Sequence, residues 1–119
     1  MGHPNEALAQ AWLEAFNTHD VARLVALYTD DCTHTSPKIR TLYPETGGKL
    51  KGRAALATWW ESALKRLPTL RYEPTGITAT GDRVIIEYLR HAPGEAVYPV
   101  AEAFDVRGGK IAASRVYHG

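Results

Sequence analysis

Gly108-Gly109 joins two runs, 96–106 and 111–117, that alternate in the manner of β-strands. A two-glycine turn between alternating runs constrains a chain strongly, because it fixes which residues face each other. With Arg107 and Lys110 flanking the turn, an unbroken ladder sets Glu102 opposite Arg115. It also sets Val100 opposite Tyr117 and Phe104 opposite Ala113, all on one face with Ile111. Two opposite charges then lie within a large, apolar strand face. Such charges are costly unless paired or put to use, so this face is expected to hold a site.

The preceding residues supply what packs on that hairpin. A first helix is predicted from about 5 to 17, entered at Pro4, with Leu8, Trp12 and Phe16 on one face. Asp20 caps a second helix over 21–28, whose buried stripe is Val21, Leu24, Val25 and Tyr28. Asp30-Asp31 reads as a turn, and 32–36 as a short strand stopped by Pro37. Residues 37–52, with two prolines, three glycines and three lysines, read as a long loop, either a lid over a small anionic ligand or a solvated or dimer-contact rim. A third helix is predicted over 53–67, its broad face formed by Leu56, Trp59, Trp60, Ala63, Leu64 and Leu67. Strands follow at 70–80, interrupted by Pro74 and Gly76, then 83–91, 96–106 and the last run. Helices first and an antiparallel meander afterwards predict one α+β domain over 1–119, with helices covering one face of a curved sheet.

Composition bounds the function classes. Formal net charge is +1, and no block of like charges exists, so neither nucleic acid nor a membrane surface is an expected partner. No apolar run approaches the ~20 residues of a membrane span. The opening Met-Gly-His-Pro-Asn-Glu lacks the basic-then-apolar pattern of a secretory leader. Cys32 is the sole cysteine, which forbids an internal disulfide and a cysteine-based zinc site and fits a reducing cytoplasm. The five histidines show no H-x-x-x-H or E-x-x-H spacing, and no phosphate-cradling glycine loop is present, so no metal and no cofactor is expected.

Four stretches carry a resemblance. They are A-F-N-T-H-D-V-A-R-L-V-A-L-Y-T-D-D-C at 15–32, S-P at 36–37, G-R-A-A-L at 52–56 and G-G-K-I-A-A-S-R-V-Y at 108–117. Together they make the chain resemble the nuclear transport factor 2-like superfamily, which includes ketosteroid isomerases and SnoaL-like polyketide cyclases. The resemblance implies a cystatin-like cone, a strongly curved antiparallel sheet wrapped around N-terminal helices. It also implies a single SnoaL-like domain with a small-molecule pocket, and pairing sheet to sheet as a homodimer. The steroid isomerase pattern is only partly present. Trp12 stands where the isomerases place an oxyanion-donating tyrosine, Ser36 stands at their proton-moving aspartate, and Glu102 matches their second, acidic donor.

The candidate site follows from both readings. His34 shares a strand face with Cys32 and Ser36 and is the candidate proton carrier, with a hydrogen-bonded core histidine as the alternative. Glu102, or Glu87, serves as acid or base if burial raises its pKa. Arg115 clamps a substrate carboxylate or enolate, unless the Glu102–Arg115 pair is purely structural. Trp12 and Trp60 are the aromatic walls, and Ser36, Phe104, Glu87 and Tyr117 complete the lining. Ile85, Glu87 and Leu89 are expected on the same face. The opposite face, with Val84, Ile86, Tyr88, Ala101, Ala103, Ala112, Ser114 and Val116, is expected to be the dimer surface. The predicted function is a cofactor-independent isomerase, cyclase or dehydratase acting by acid–base chemistry on a small apolar carbonyl compound. A non-catalytic ligand-binding or dimerisation domain is the alternative.

Overall fold

The computed structural model describes residues 3–119. Helix α1 spans Pro4–Asn17, with proline in its first turn and the His3 side chain accepting from the Asn5 amide. It buries Ala9, Trp12, Leu13 and Phe16; of the expected stripe, Trp12 and Phe16 are buried and Leu8 packs partly buried against the core. Asp20 caps α2, whose helix stops at Val25 (Val21–Val25), so Tyr28 opens a strand instead of closing a helix. Strand β1 runs Tyr28–Thr35 and takes in Asp30-Asp31, the predicted turn. Its ladder to the last strand is broken between Tyr28 and Thr33, and both aspartates lie in that irregular stretch.

The predicted long loop is also ordered into elements. Helix α3 spans Pro37–Leu42 with Ser36 as its cap, a 3₁₀ turn covers Pro44–Thr46, and a short strand, β2, covers Lys49–Lys51. Helix α4, Arg53–Arg66, buries Leu56, Trp60 and Leu64. Strands β3 (Arg71–Thr80), β4 (Arg83–His91), β5 (Tyr98–Arg107) and β6 (Lys110–His118) then form the meander. The six-stranded sheet has the order β2-β1-β6-β5-β4-β3, with β1 parallel to β6, so β2 and β3 remain as edges and the sheet does not close.

The helices fill the concave side. Trp12 packs within 5.3 Å of Phe104 and 5.4 Å of Phe16, measured between ring centroids, and Phe16 stacks on Tyr72 at 3.9 Å. Tyr72 continues the stack to Tyr88 at 4.1 Å. The Asn17 amide fastens the end of α1 to this edge, donating to the Tyr72 carbonyl and accepting from its amide, each at 2.8 Å. His19 holds a left-handed φ of 58°, which turns the chain between α1 and α2, and its Nε2 meets the Leu70 carbonyl at 2.7 Å.

The last hairpin corrects the central register expectation. Arg107 does pair with Lys110, and Gly108 and Gly109 take φ of 60° and 78°, as a tight hairpin turn demands. Val106 pairs with Ile111 but Asp105 pairs with Ala113, so Ala112 is an extra residue in β6. One inserted residue reverses every side chain beyond it. Glu102 therefore lies opposite Val116, Val100 opposite His118 and Phe104 opposite Ser114, while Arg115 lies opposite Ala103 on the outer face. The phase of β4 is also opposite to expectation: Val84, Ile86, Tyr88 and Arg90 are buried inward, and Ile85 and Glu87 point out. Val84, Ile86, Tyr88, Ser114 and Val116 thus belong to the inner face, not to the expected dimer surface. The outer face keeps Ala101 and Ala103 as expected and carries Ile85, Glu87, Arg115 and Tyr117 beside them.

Candidate functional site

A cavity of about 140 Å³ opens between the concave sheet face, α1 and α4. An apolar cavity near 150 Å³ accommodates a benzene ring, so this one is sized for a single-ring compound. Its aromatic walls include Trp12, Trp60, Tyr72 and Tyr88, and its polar floor is His34 and Glu102. Alternation along β5 aims Glu102 inward between Val100 and Phe104.

Glu102 is 2% exposed, and its Oε1 accepts a 3.0 Å hydrogen bond from the Tyr88 hydroxyl. Among the described residues its Oε2 has no partner. Burial pushes its pKa up to about 8, against which the Tyr88 bond works only partly. At neutral pH the carboxyl is mostly protonated. With Oε1 satisfied by Tyr88, the proton resides on Oε2, the oxygen without a partner among the described residues.

His34 is held by a directed chain of hydrogen bonds. The Trp12 indole can only donate, and it donates to the Tyr28 hydroxyl at 3.0 Å. Tyr28 then spends its single proton on Ser114 Oγ, 3.4 Å away, and Ser114 Oγ lies 2.5 Å from His34 Nδ1. Ser114 is fully buried and has one proton to place, and His34 Nδ1 is the acceptor at 2.5 Å; in that arrangement the imidazole proton sits on Nε2. Burial lowers the His34 pKa to about 4, so the ring is neutral. A neutral ring with Nδ1 occupied acts as a hydrogen-bond donor through Nε2, not as a base.

The mouth is positively charged. Lys38, Arg66 and Arg90 line it against the carboxylate of Glu95. Arg90 is 7% exposed and binds Glu95 Oε1 at 2.8 Å, with its guanidinium 5.6 Å from the centre of the Tyr98 ring.

His34, Ser36, Glu102, Trp12 and Trp60 are thus brought together at one cavity. Ser36 has a second duty, because its Oγ accepts from the Lys38 amide as the cap of α3. Arg115 is not at the cavity: it pairs with Asp105 on the outer face through contacts of 2.8 and 3.1 Å. Glu87 and Tyr117 are exposed on that same outer face. Phe104 is fully buried against Trp12 as core. Tyr28 was expected on a helix stripe and Tyr88 on the dimer face, while Arg90 and Tyr72, which also line the cavity, were not singled out from the sequence. The one available signal was Arg90 itself, a cation within the alternation of a strand. No group of three or more His, Cys, Asp or Glu side chains among the described residues could hold a metal ion.

The SnoaL-like domain family matches residues 9–114. The chain belongs to this family. Its SnoaL-like domain is similar to a SnoaL-like protein from Burkholderia thailandensis, with 23% identity and a TM-score of 0.84 over 96% of this chain and 93% of that one. It is similar to TerC, solved with polyporic acid, at 21% identity and a TM-score of 0.83 over 98% and 92% of the two chains. A proposed polyketide cyclase from Sinorhizobium meliloti matches at 18% identity and a TM-score of 0.79, covering 98% and 100%. Identities this low establish the fold, which is the cystatin-like, nuclear transport factor 2-like cone. No curated protein sequence matches. No helix among the described residues is long and apolar enough to cross a membrane.

Proposed function

We propose that this SnoaL-like domain is a cofactor-independent enzyme that moves a proton next to the carbonyl group of a small, one-ring compound. The supporting observation is the buried Glu102 carboxyl beside the cavity it lines, with one oxygen fixed by Tyr88 and the other without a hydrogen-bond partner among the described residues. Its pKa of about 8 lies close to neutral pH, where a group is most effective at both taking and returning a proton. The ionised fraction of Glu102 removes the proton α to the carbonyl. The His34 Nε2–H stabilises the developing enolate oxygen, and protonated Glu102 returns the proton to a different atom. This reverses the expected division of labour, in which His34 carried the proton. Trp12, Trp60 and Tyr72 hold the ring of the substrate. That TerC, of the same fold, was co-crystallised with polyporic acid supports an organic ligand in this cone. The open cavity favours a ligand-binding role over a purely structural domain.

Thermal shift against a panel of aryl ketones, followed by deuterium exchange into bound phenylacetone in D₂O, tests the reading. The expected result is accelerated exchange by the wild type, lost in Glu102→Gln with binding retained. Exchange at equal rates in both proteins would refute it. The outer sheet face, with exposed Ile85 and Tyr117 and the small Ala101 and Ala103, supports assembly as a homodimer. Sedimentation of only ~13 kDa particles at micromolar concentration would count against that assembly.

A further inference from the structure

Arg90 reaches the cavity wall because β4 alternates Val84, Ile86, Tyr88 and Arg90 inward. A guanidinium offers five N–H donors in a planar fork. Among the described residues Arg90 makes one side-chain hydrogen bond, to Glu95 Oε1 at 2.8 Å. Glu95 stands on the exposed turn between β4 and β5, beside Gly94 at φ 74°, and its side chain is 36% exposed. The same oxygen lies 3.9 Å from Lys38 Nζ, across the cavity mouth. A loop carboxylate thus occupies the place where two cations converge over an aromatic-walled cavity.

We propose that Glu95 is a built-in stand-in for a carboxylate of the substrate, and that Arg90, helped by Lys38, selects one-ring compounds bearing an anionic head group by exchanging Glu95 for it. The inference rests on the reading of this cavity as the ligand site. It narrows the substrate class to aryl keto acids and similar anions. The ring enters between Trp12 and Trp60, the carbonyl meets the floor, and the carboxylate takes the fork of Arg90 in bidentate fashion. Glu95 is a real competitor at neutral pH, because the Arg90 hydrogen bond holds its carboxyl below the usual range and so keeps it charged. An uncharged ligand gains nothing at Arg90 and leaves Glu95 in place.

Phenylpyruvate and its methyl ester share one skeleton and differ in charge, so their binding to the full chain, followed by tryptophan fluorescence, isolates this contact. Glu95→Gln, an exposed and conservative change, is expected to tighten phenylpyruvate about fivefold by removing the competitor, and to leave the ester unchanged. Arg90→Met is expected to weaken phenylpyruvate at least about tenfold more than it weakens the ester. Added salt weakens phenylpyruvate alone. Equal affinity for acid and ester in the wild type, or weaker phenylpyruvate binding in Glu95→Gln, overturns the inference, whatever happens to proton exchange in phenylacetone. Loss of that exchange with Arg90-dependent binding of phenylpyruvate intact overturns the acid–base reading and leaves the anion site standing. Binding of neither compound to any of the proteins overturns the anion site, and absence of phenylacetone exchange as well overturns the acid–base reading too.

Discussion

Replacing Glu102 with glutamine removes a buried titratable group while keeping its shape and the Tyr88 hydrogen bond. In the unfolded chain this carboxyl ionises around 4.5, and in the folded protein around 8. Between those values the folded state holds a proton that the unfolded state has released. Stability therefore falls as pH rises through this window, by up to 1.4 kcal/mol per pH unit. Integrated from pH 5 to pH 8, the contribution of Glu102 worsens by about 3.5 kcal/mol. Glutamine does not titrate, so the variant escapes this loss. The assay is urea unfolding of both proteins at pH 5 and pH 8, with the difference in unfolding free energy compared between the two. Glu102→Gln is expected to gain about 3.5 kcal/mol on the wild type across that interval, seen in thermal melts as a relative rise of roughly 10–20 °C. A difference that stays constant from pH 5 to pH 8 would mean that Glu102 ionises in the folded protein much as it does in water, and the buried-carboxyl assignment would fall.

His34 produces the opposite slope on the acid side. Its folded pKa of about 4 lies below the ordinary 6.5, so the unfolded chain takes up the proton first and stability is lost as pH falls through that window. The wild type should lose about 3 kcal/mol from this group between pH 7 and pH 4, and His34→Gln should lack that arm of the profile. For catalysis, kcat/KM for proton abstraction should rise about tenfold per pH unit below 8 and level off above it, following the ionised fraction of Glu102. A plateau beginning near pH 5 would contradict that assignment. Arg115→Ala should leave ligand affinity and exchange rate unchanged, because its guanidinium pairs with Asp105 outside the cavity. A large loss of affinity measured by titration would reinstate Arg115 as a ligand clamp.

The α1 stripe, the Asp20 cap, the α4 helix and the glycine turn of the last hairpin were legible from sequence. Each is set by residues within a few positions of one another. Residues 37–52 were not, because β2 exists only by pairing with β1 and α3 is too short for its periodicity to show. The candidate site was half legible. His34, Glu102, Trp12 and Trp60 meet at the cavity as expected, whereas Arg115, Glu87 and Tyr117 face outward and Phe104 lies in the core.

The α+β order, the family and the presence of a buried carboxyl on β5 could all be read from the chain's residues, since each is local or carried by short stretches of matching residues. Which cation shares the cavity with that carboxyl was decided only by the tertiary structure. Strand faces alternate with a period of two, so the single extra residue at Ala112 turns Arg115 away from the cavity. No pattern in the neighbouring residues Ile111, Ala112, Ala113 and Ser114 announces that insertion. The inward phase of β4, which supplies Arg90 in place of Arg115, is likewise set by how the sheet wraps its helices. Local sequence is indifferent to that choice because Ile85 and Ile86 are equally apolar on either face.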